Sequence, residues 1–270
     1  FTFAQKACNM NLSLQGKTAV VCGSTQGIGL ACAVELALLG ANCILLARNE
    51  QSVQTALQQL DTTQQQQHSY VVADFSDPGS VQQAIASVAQ TNTVHILINN
   101  TGGPASGPIT AATPEQFLAA FNQHLVCNHI LATTVLPLMK EAGYGRIINI
   151  ISTSVKIPLP NLGVSNTIRG AVASWAKTMA NEVGQFNITV NNVLPGATTT
   201  QRLGAIIAAN ASKRNTTVGA LEAEMQHEIP MQRFADAAEI AAVAAFLASP
   251  AASYVNGVSI PVDGGRTGSI

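Results

Sequence analysis

The sequence predicts an α/β fold, a doubly wound parallel sheet of about seven strands with helices on both faces. Two patterns predict it. Short, nearly continuous apolar runs of strand length recur along the chain, and longer amphipathic segments alternate with them. A strand covered on both faces has no wet side, so it shows no polar alternation; helices on both faces provide that cover. No linker or internal repeat divides the chain. Residues 12–270 therefore read as one domain after a short tail at 1–11. Right-handed crossovers are expected, with ligands at the carboxyl ends of the strands.

The elements follow in order. KTAVVCG (17–23) is a buried strand, and IGLACAVELALLG (28–40) the helix after it. NCILLAR (42–48) is the second strand, with a helix over 50–60. SYVVADF (69–75) and VHILINN (94–100) are strands separated by a helix at 80–90, and TTQQQQHS (62–69) is a polar surface loop. Residues 114–142 hold two helices, or one bent near Pro137, where a missing N–H interrupts the ladder. GRIINIIS (145–152), a helix at 163–184, ITVNNVLPG (188–196), a helix at 236–248 and GVSIPVDGG (257–265) complete the alternation. Residues 197–232 break it. An insertion of that length beside strand ends is expected to be a lid over a substrate site.

Composition narrows the function. The 270 residues are 47% hydrophobic and 10% charged with net charge -1, which leaves no basic footprint for nucleic acid. No apolar run has membrane-spanning length, and the first residues lack a signal-peptide pattern, so a cytoplasmic location is expected. The cysteines, Cys8, Cys22, Cys32, Cys43 and Cys127, form no CxxC pair and read as small buried hydrophobes of a reducing compartment. No His/Cys cluster has metal-ligand spacing.

The chemistry begins in CGSTQGIG, between the first strand and the first helix. Gly23, Gly27 and Gly29 permit a tight turn, close approach of backbone N–H groups to a pyrophosphate, and close helix–sheet packing. Ser24, Gln26 and Ile28 lie among them, and the helix N-terminus adds partial positive charge. A dinucleotide site of Rossmann type is expected. The second strand ends in Ala47-Arg48-Asn49, without the carboxylate that would hold free ribose hydroxyls. Arg48 suits a 2′-phosphate, so NADP(H) is favoured over NAD(H).

With the spacing Gly-x-x-x-Gly-x-Gly, the chain resembles the short-chain dehydrogenase/reductase family, most of all its members of the 3-oxoacyl-[acyl-carrier-protein] reductase type. NNTG (99–102), DF (74–75), LPG (194–196) and VDGG (262–265) match further family motifs in order, so the likeness spans residues 12–265. The resemblance implies that Asp74, Phe75, Asn99 and Gly102 line the adenosine side. It implies that Pro195, Gly196, Thr198 and Thr200 approach the nicotinamide. It also implies homo-oligomers, dimers or tetramers, paired through the helices of 114–142 and 163–184.

The family's active site comprises Ser, a Tyr thirteen residues later, a Lys four beyond, and an Asn on the preceding long helix. Here Ser152 stands in the Ser position, but Ser165 replaces Tyr, Arg169 replaces Lys and His124 replaces Asn. Tyr70, Tyr144 and Tyr254 lie in other segments, and none has Lys four residues on. An aliphatic hydroxyl is a far weaker acid than a phenol, and Arg holds its proton. His124 is therefore the first substitute proton donor, because imidazole titrates near neutrality. His129 and Lys156 rank behind it. Two functions remain open. One is an oxidoreductase on a small carbonyl or alcohol, 3-oxoacyl compounds included, with altered acid chemistry. The other is a protein that binds the dinucleotide without turnover.

Overall fold

A computed structural model describes residues 10–269. Most of the expected tail, including Cys8, lies outside them. The sheet has seven parallel strands in the order β3-β2-β1-β4-β5-β6-β7. They are β1 (Thr18–Cys22), β2 (Asn42–Ala47), β3 (Ser69–Val72), β4 (Ile96–Asn99), β5 (Gly145–Ile150), β6 (Ile188–Pro195) and β7 (Ser259–Val262). The order reverses between β1 and β4, and at such a switch point the diverging crossovers open a crevice.

The helices are α1 (Gly27–Leu38), α2 (Glu50–Leu57), α3 (Pro78–Thr91), α4 (Pro114–Phe121), α5 (Cys127–Glu141), α6 (Gly163–Val183), α7 (Gln201–Lys213), α8 (Val218–His227) and α9 (Ala237–Ala248). Their starts are chemically marked. Asp77 accepts from the Gly79 N–H ahead of α3, with Pro78 at the first helical position. Thr113 with Gln116, and Asp236 with Glu239, form capping boxes at α4 and α9. Successive strand residues serve opposite cores, as the two-residue period requires. Ala19 and Val21 join Leu36, Ile240 and Ala244 beneath α1 and α9. Val20 and Cys22 join Ile85, Leu131 and Met139 beneath α3 and α5. Cys22, Cys32, Cys43 and Cys127 are buried free thiols, and burial pushes Cys32 and Cys43 up to about 12.

Two boundaries differ from the sequence reading. The third strand stops at Val72, which frees Asp74 and Phe75 for the loop beyond. The long helical region divides not at Pro137, which lies inside α5, but at a π-turn over Asn122–Val126. There the Cys127 N–H donates to the carbonyl five residues back, at Asn122. A widened turn of this kind needs no proline, so no breaker residue announces it. In 197–232, α7 and α8 enclose a small core of Ile207, Ala211 and Leu221, and the Arg214–Glu224 ion pair ties them together. No helix among the described residues is long and apolar enough to cross a membrane, and no group of metal-ligating side chains occurs there.

A polar ladder runs through the buried half of the sheet. Asn99 Nδ2 donates to Asn149 Oδ1 at 2.8 Å, Asn149 Nδ2 to Asn192 Oδ1 at 2.9 Å, and Asn192 Nδ2 to Ser259 Oγ at 3.0 Å. These residues are direct register partners from β4 to β7, so one side-chain chain stitches four strands. Each amide donates to the next, which offsets the burial of every rung except Asn99 Oδ1, buried without a partner at the ladder's end. Asn149→Ala removes the middle rung and strands the donor of Asn99 and the acceptor of Asn192. At about 1–3 kcal/mol per orphaned buried group, the loss should be about 2–6 kcal/mol in urea unfolding. A loss within error of zero would show that the ladder contributes nothing net.

Candidate active site

The site begins where β1 passes into α1. Gly23 and Gly27 have φ of +57° and +56°, in the left-handed region that side chains avoid. Gly29 is required for a different reason. A Cβ there would lie 2.1 Å from the Gly23 carbonyl oxygen and 2.6 Å from Asn100 Nδ2. Asn100 Nδ2 in turn donates to the carbonyls of Cys22 at 3.3 Å and Gly23 at 3.2 Å, pinning the loop from below. The first turn of α1 has neither a side-chain cap nor an acidic residue. Its N–H groups thus remain available to an anion in front of the helix.

That helix start faces an outer cavity of about 380 Å³ at the carboxyl ends of β1 to β4. Gly23, Gln26, Gly27, Ile28, Arg48, Asp74, Phe75, Gly102 and Thr200 all line it. Asp74 is held below the usual carboxylate range by hydrogen bonds from Ser76, and Arg48 adds its charge. Three expected residues are elsewhere. Ser24 is fully buried beneath the loop, and Gly29 serves helix packing. Asn99 does not line the cavity: it ends β4 pointing into the sheet, where it begins the asparagine ladder. Its neighbours Asn100 and Thr101, with Thr25, line the cavity instead. Alternation of side chains along a strand decides between adjacent asparagines, and the motif alone does not state the phase.

An inner chamber of about 240 Å³ continues from this cavity past β5 and β6. The two share Ile28, Asn100, Thr101, Thr200 and Arg202. Ser152, Ser165, Arg169, Pro195, Gly196 and Thr198 line the chamber. Gly196 is as constrained as Gly29, since a Cβ would meet Asp263 Cβ at 2.7 Å; this seats the Val-Asp-Gly-Gly ending against the Pro-Gly turn. Thr200 also caps α7 by accepting from the Leu203 N–H, so the 197–232 segment enters its first helix at the site itself.

Ser152 Oγ accepts from the Ser154 N–H at 3.1 Å, which leaves its own O–H free to donate into the chamber. Ser165 and Arg169 stand one turn apart on α6 and share a face. Arg169 Nη1 donates to the Ile150 carbonyl at 3.2 Å; burial, then the nearby Arg202, lowers the guanidinium to about 10. Arg202, absent from the sequence reading, reaches back from α7 to the carbonyls of Gly103 and Pro104 at 2.8 and 3.2 Å. A Cβ at Gly103 would sit 2.6 Å from Arg202 Nη2, so glycine makes room for it.

His124 departs from its expected role. It is 1% exposed and lines neither cavity. Its Nδ1 lies 2.6 Å from Thr101 Oγ1, and Nε2 is buried without a partner. Burial, then the charges of Arg169 and Arg202, push its pKa down to about 2. A ring that stays neutral behind a threonine cannot be the titrating donor. His129 accepts from Trp175 Nε1 instead of facing the site, and Lys156 is exposed and lines neither cavity.

Comparison with known proteins agrees with this architecture. Residues 23–267 match a family model described as Enoyl-(Acyl carrier protein) reductase. The NADPH-dependent reductase BacG of Bacillus subtilis is 32% identical over 258 residues, covering 94% of this chain and 99% of the relative. L-sorbose reductase from Gluconobacter frateurii, complexed with NADPH and L-sorbose, superposes with a TM-score of 0.90 at 29% identity, over 97% of this chain and 100% of that one. A 3-oxoacyl (acyl-carrier-protein) reductase from Agrobacterium tumefaciens C58 with NADP bound gives 0.86 at 25% identity, over 98% and 99%. The glycine-lined helix start, the unbroken parallel sheet and the matched model over residues 23–267 together place the chain in the short-chain dehydrogenase/reductase family of oxidoreductases.

Proposed function

We propose that this chain is an NADP(H)-dependent oxidoreductase that interconverts a carbonyl and an alcohol on a small substrate, with Ser165 and Arg169 in place of the family's Tyr and Lys. One observation carries the reading. A single cleft runs from the uncapped start of α1 to a chamber holding Ser152, Ser165 and Arg169. The outer cavity fits a dinucleotide. Its glycines leave the floor that side chains would fill, and the first-turn N–H groups of α1 would hold the pyrophosphate. Arg48 would meet the 2′-phosphate, Asp74 and Phe75 the adenine, and Thr198 and Gly196 the nicotinamide side. When bound, the cofactor supplies or accepts hydride.

The chain's own residues then manage the oxygen. Ser152 donates a hydrogen bond to the carbonyl oxygen, polarising it. Arg169 keeps its proton and supplies fixed positive charge as the oxygen becomes anionic. The Ser165 hydroxyl, on the same face of α6, passes a proton from solvent to that oxygen. Charge stabilisation carries more of the catalysis here than a tuned acid does. The small chamber favours compact substrates over long acyl chains. Assembly into homo-oligomers belongs to the same proposal, since Ser174 is exposed and Gly170 and Ala173 are half-buried along α6.

NADPH should bind at least about tenfold more tightly than NADH in a fluorescence titration, and Arg48→Ala should remove most of that margin, about 1.4 kcal/mol per factor of ten. Preference for NADH would reverse the cofactor assignment, and tight NADPH binding without turnover on any ketone would leave a binding protein.

Ser152→Ala should lower kcat by about 10²-fold with little change in NADPH affinity. Because nothing lining the chamber titrates near neutrality, kcat/KM should be level between pH 6 and 9. A limb near pH 6.5 would restore histidine as the acid.

His124 yields a stability test. Its folded pKa of about 2 lies below the ordinary 6.5, so between these values the unfolded chain binds more protons. Stability should therefore fall as pH drops below 6.5, by on the order of 1 kcal/mol per pH unit from this group. His124→Asn should flatten that slope in urea titrations at pH 5 and 7; an unchanged slope would show that His124 titrates normally in the fold.

A further inference from the structure

We propose that the substrate carries a carboxylate, which Arg169 and Arg202 hold in the inner chamber; this rests on the oxidoreductase reading of the same cleft. Two guanidinium groups line that chamber, and not one Asp or Glu does. The ion pairs among the described residues are Arg214–Glu224, Arg233–Glu239 and Arg266–Glu228, none of which involves either group. Arg169 is 8% exposed, and its hydrogen bond within the protein is the one to the Ile150 carbonyl. A guanidinium carries five N–H donors, so most of the fork is left for a ligand. A buried charge without a counter-charge is costly, and evolution tolerates it where a ligand brings the opposite sign.

Two comparisons sharpen the assignment. Arg146, also buried, is served by the Tyr144 ring at 4.1 Å and by the carbonyls of Gly145 and Asn187. It sits at the amino end of β5 and lines no cavity described above. Burial of arginine is thus not in itself a ligand signal in this fold; a fork opening into a chamber is. The cofactor's phosphates do not meet the need either. Arg202 lines both cavities and can share its charge with a pyrophosphate, whereas Arg169 lines the inner chamber alone. Forked N–H donors match the two oxygens of a carboxylate. The chamber of about 240 Å³ suits a short oxo acid and its hydroxy acid counterpart.

The test is calorimetric titration of the protein–NADP⁺ complex, where no hydride is available and binding is read without turnover. The probes are pyruvate, 3-oxobutanoate and 4-oxopentanoate, each paired with its neutral amide. At least one acid should bind at least about tenfold more tightly than its amide, and Arg169→Met should bring the ratio to within about twofold of one. Arg202→Met should reduce it as well. Arg169→Lys, which keeps the charge and loses the fork, should retain an intermediate preference. Ratios near one for all three pairs in the wild-type complex would overturn the proposal, as would a preference that survives in both Met variants. Should a Met variant fail to melt cooperatively, the wild-type ratios and Arg169→Lys decide. Failure of the protein to bind NADP⁺ at all would instead remove the oxidoreductase reading beneath it, and that control is run first.

Discussion

The close contact between the start of α1 and the end of β1 sets the position of everything else in the site. Gly29 lies against the Gly23 carbonyl at a distance no side chain permits, and Asn100 holds that carbonyl from the neighbouring strand. Because α1 approaches so closely, its first N–H groups look into the crevice at the switch point between β1 and β4. The same carboxyl edge then delivers Arg48 from the end of β2, Asp74 after β3, Ser152 after β5 and Thr200 after β6. A parallel sheet brings all these strand ends to one side, so residues far apart in sequence meet along one cleft.

Electrostatics divides that cleft. The outer cavity contains both Arg48 and Asp74, whereas the charged side chains of the inner chamber, Arg169 and Arg202, are both positive. Burial lowers both inner arginines, with the charge of Arg202 adding to the effect at Arg169, and burial, then these two charges, keep His124 neutral. A charge field of one sign, held by backbone carbonyls, is the kind that can stabilise a developing oxyanion without a group that titrates near neutrality. The proposal of Ser165 and Arg169 in place of the family's Tyr and Lys rests on that arrangement within one pocket. The π-turn that seats His124 behind Thr101 belongs to the same arrangement.

Much of this was legible in the residues. Apolar runs gave the strands, the amphipathic segments between them gave the helices, and the glycine spacing marked the anion-facing turn. The phase of side chains was harder to read. Asn99 and Asn100 are adjacent and chemically identical, yet one joins the sheet's interior ladder and the other supports the loop. The ladder left a trace, since asparagine is unusual in strands buried on both faces. Only the register showed that Asn99, Asn149, Asn192 and Ser259 stand side by side. Arg202 left none, because a basic residue at a helix start reads as solvated until the fold brings α7 against Gly103.

Sequence alone determined the α/β class, the order of the strands and of the helices outside 197–232, the glycine turn before α1 and the absence of a Tyr-x-x-x-Lys pair, because each depends on residue type over short spans. Tertiary structure decided which polar groups are dry, which face the cleft and which cations lack a counter-charge. Burial and charge neighbours are sums over residues that meet only once the sheet has closed, and no local pattern contains them. That is why His124, plausible as an acid by its ordinary pKa, became a neutral buried ring, while Arg202 moved from an unremarked residue of the 197–232 segment to the wall of the chamber.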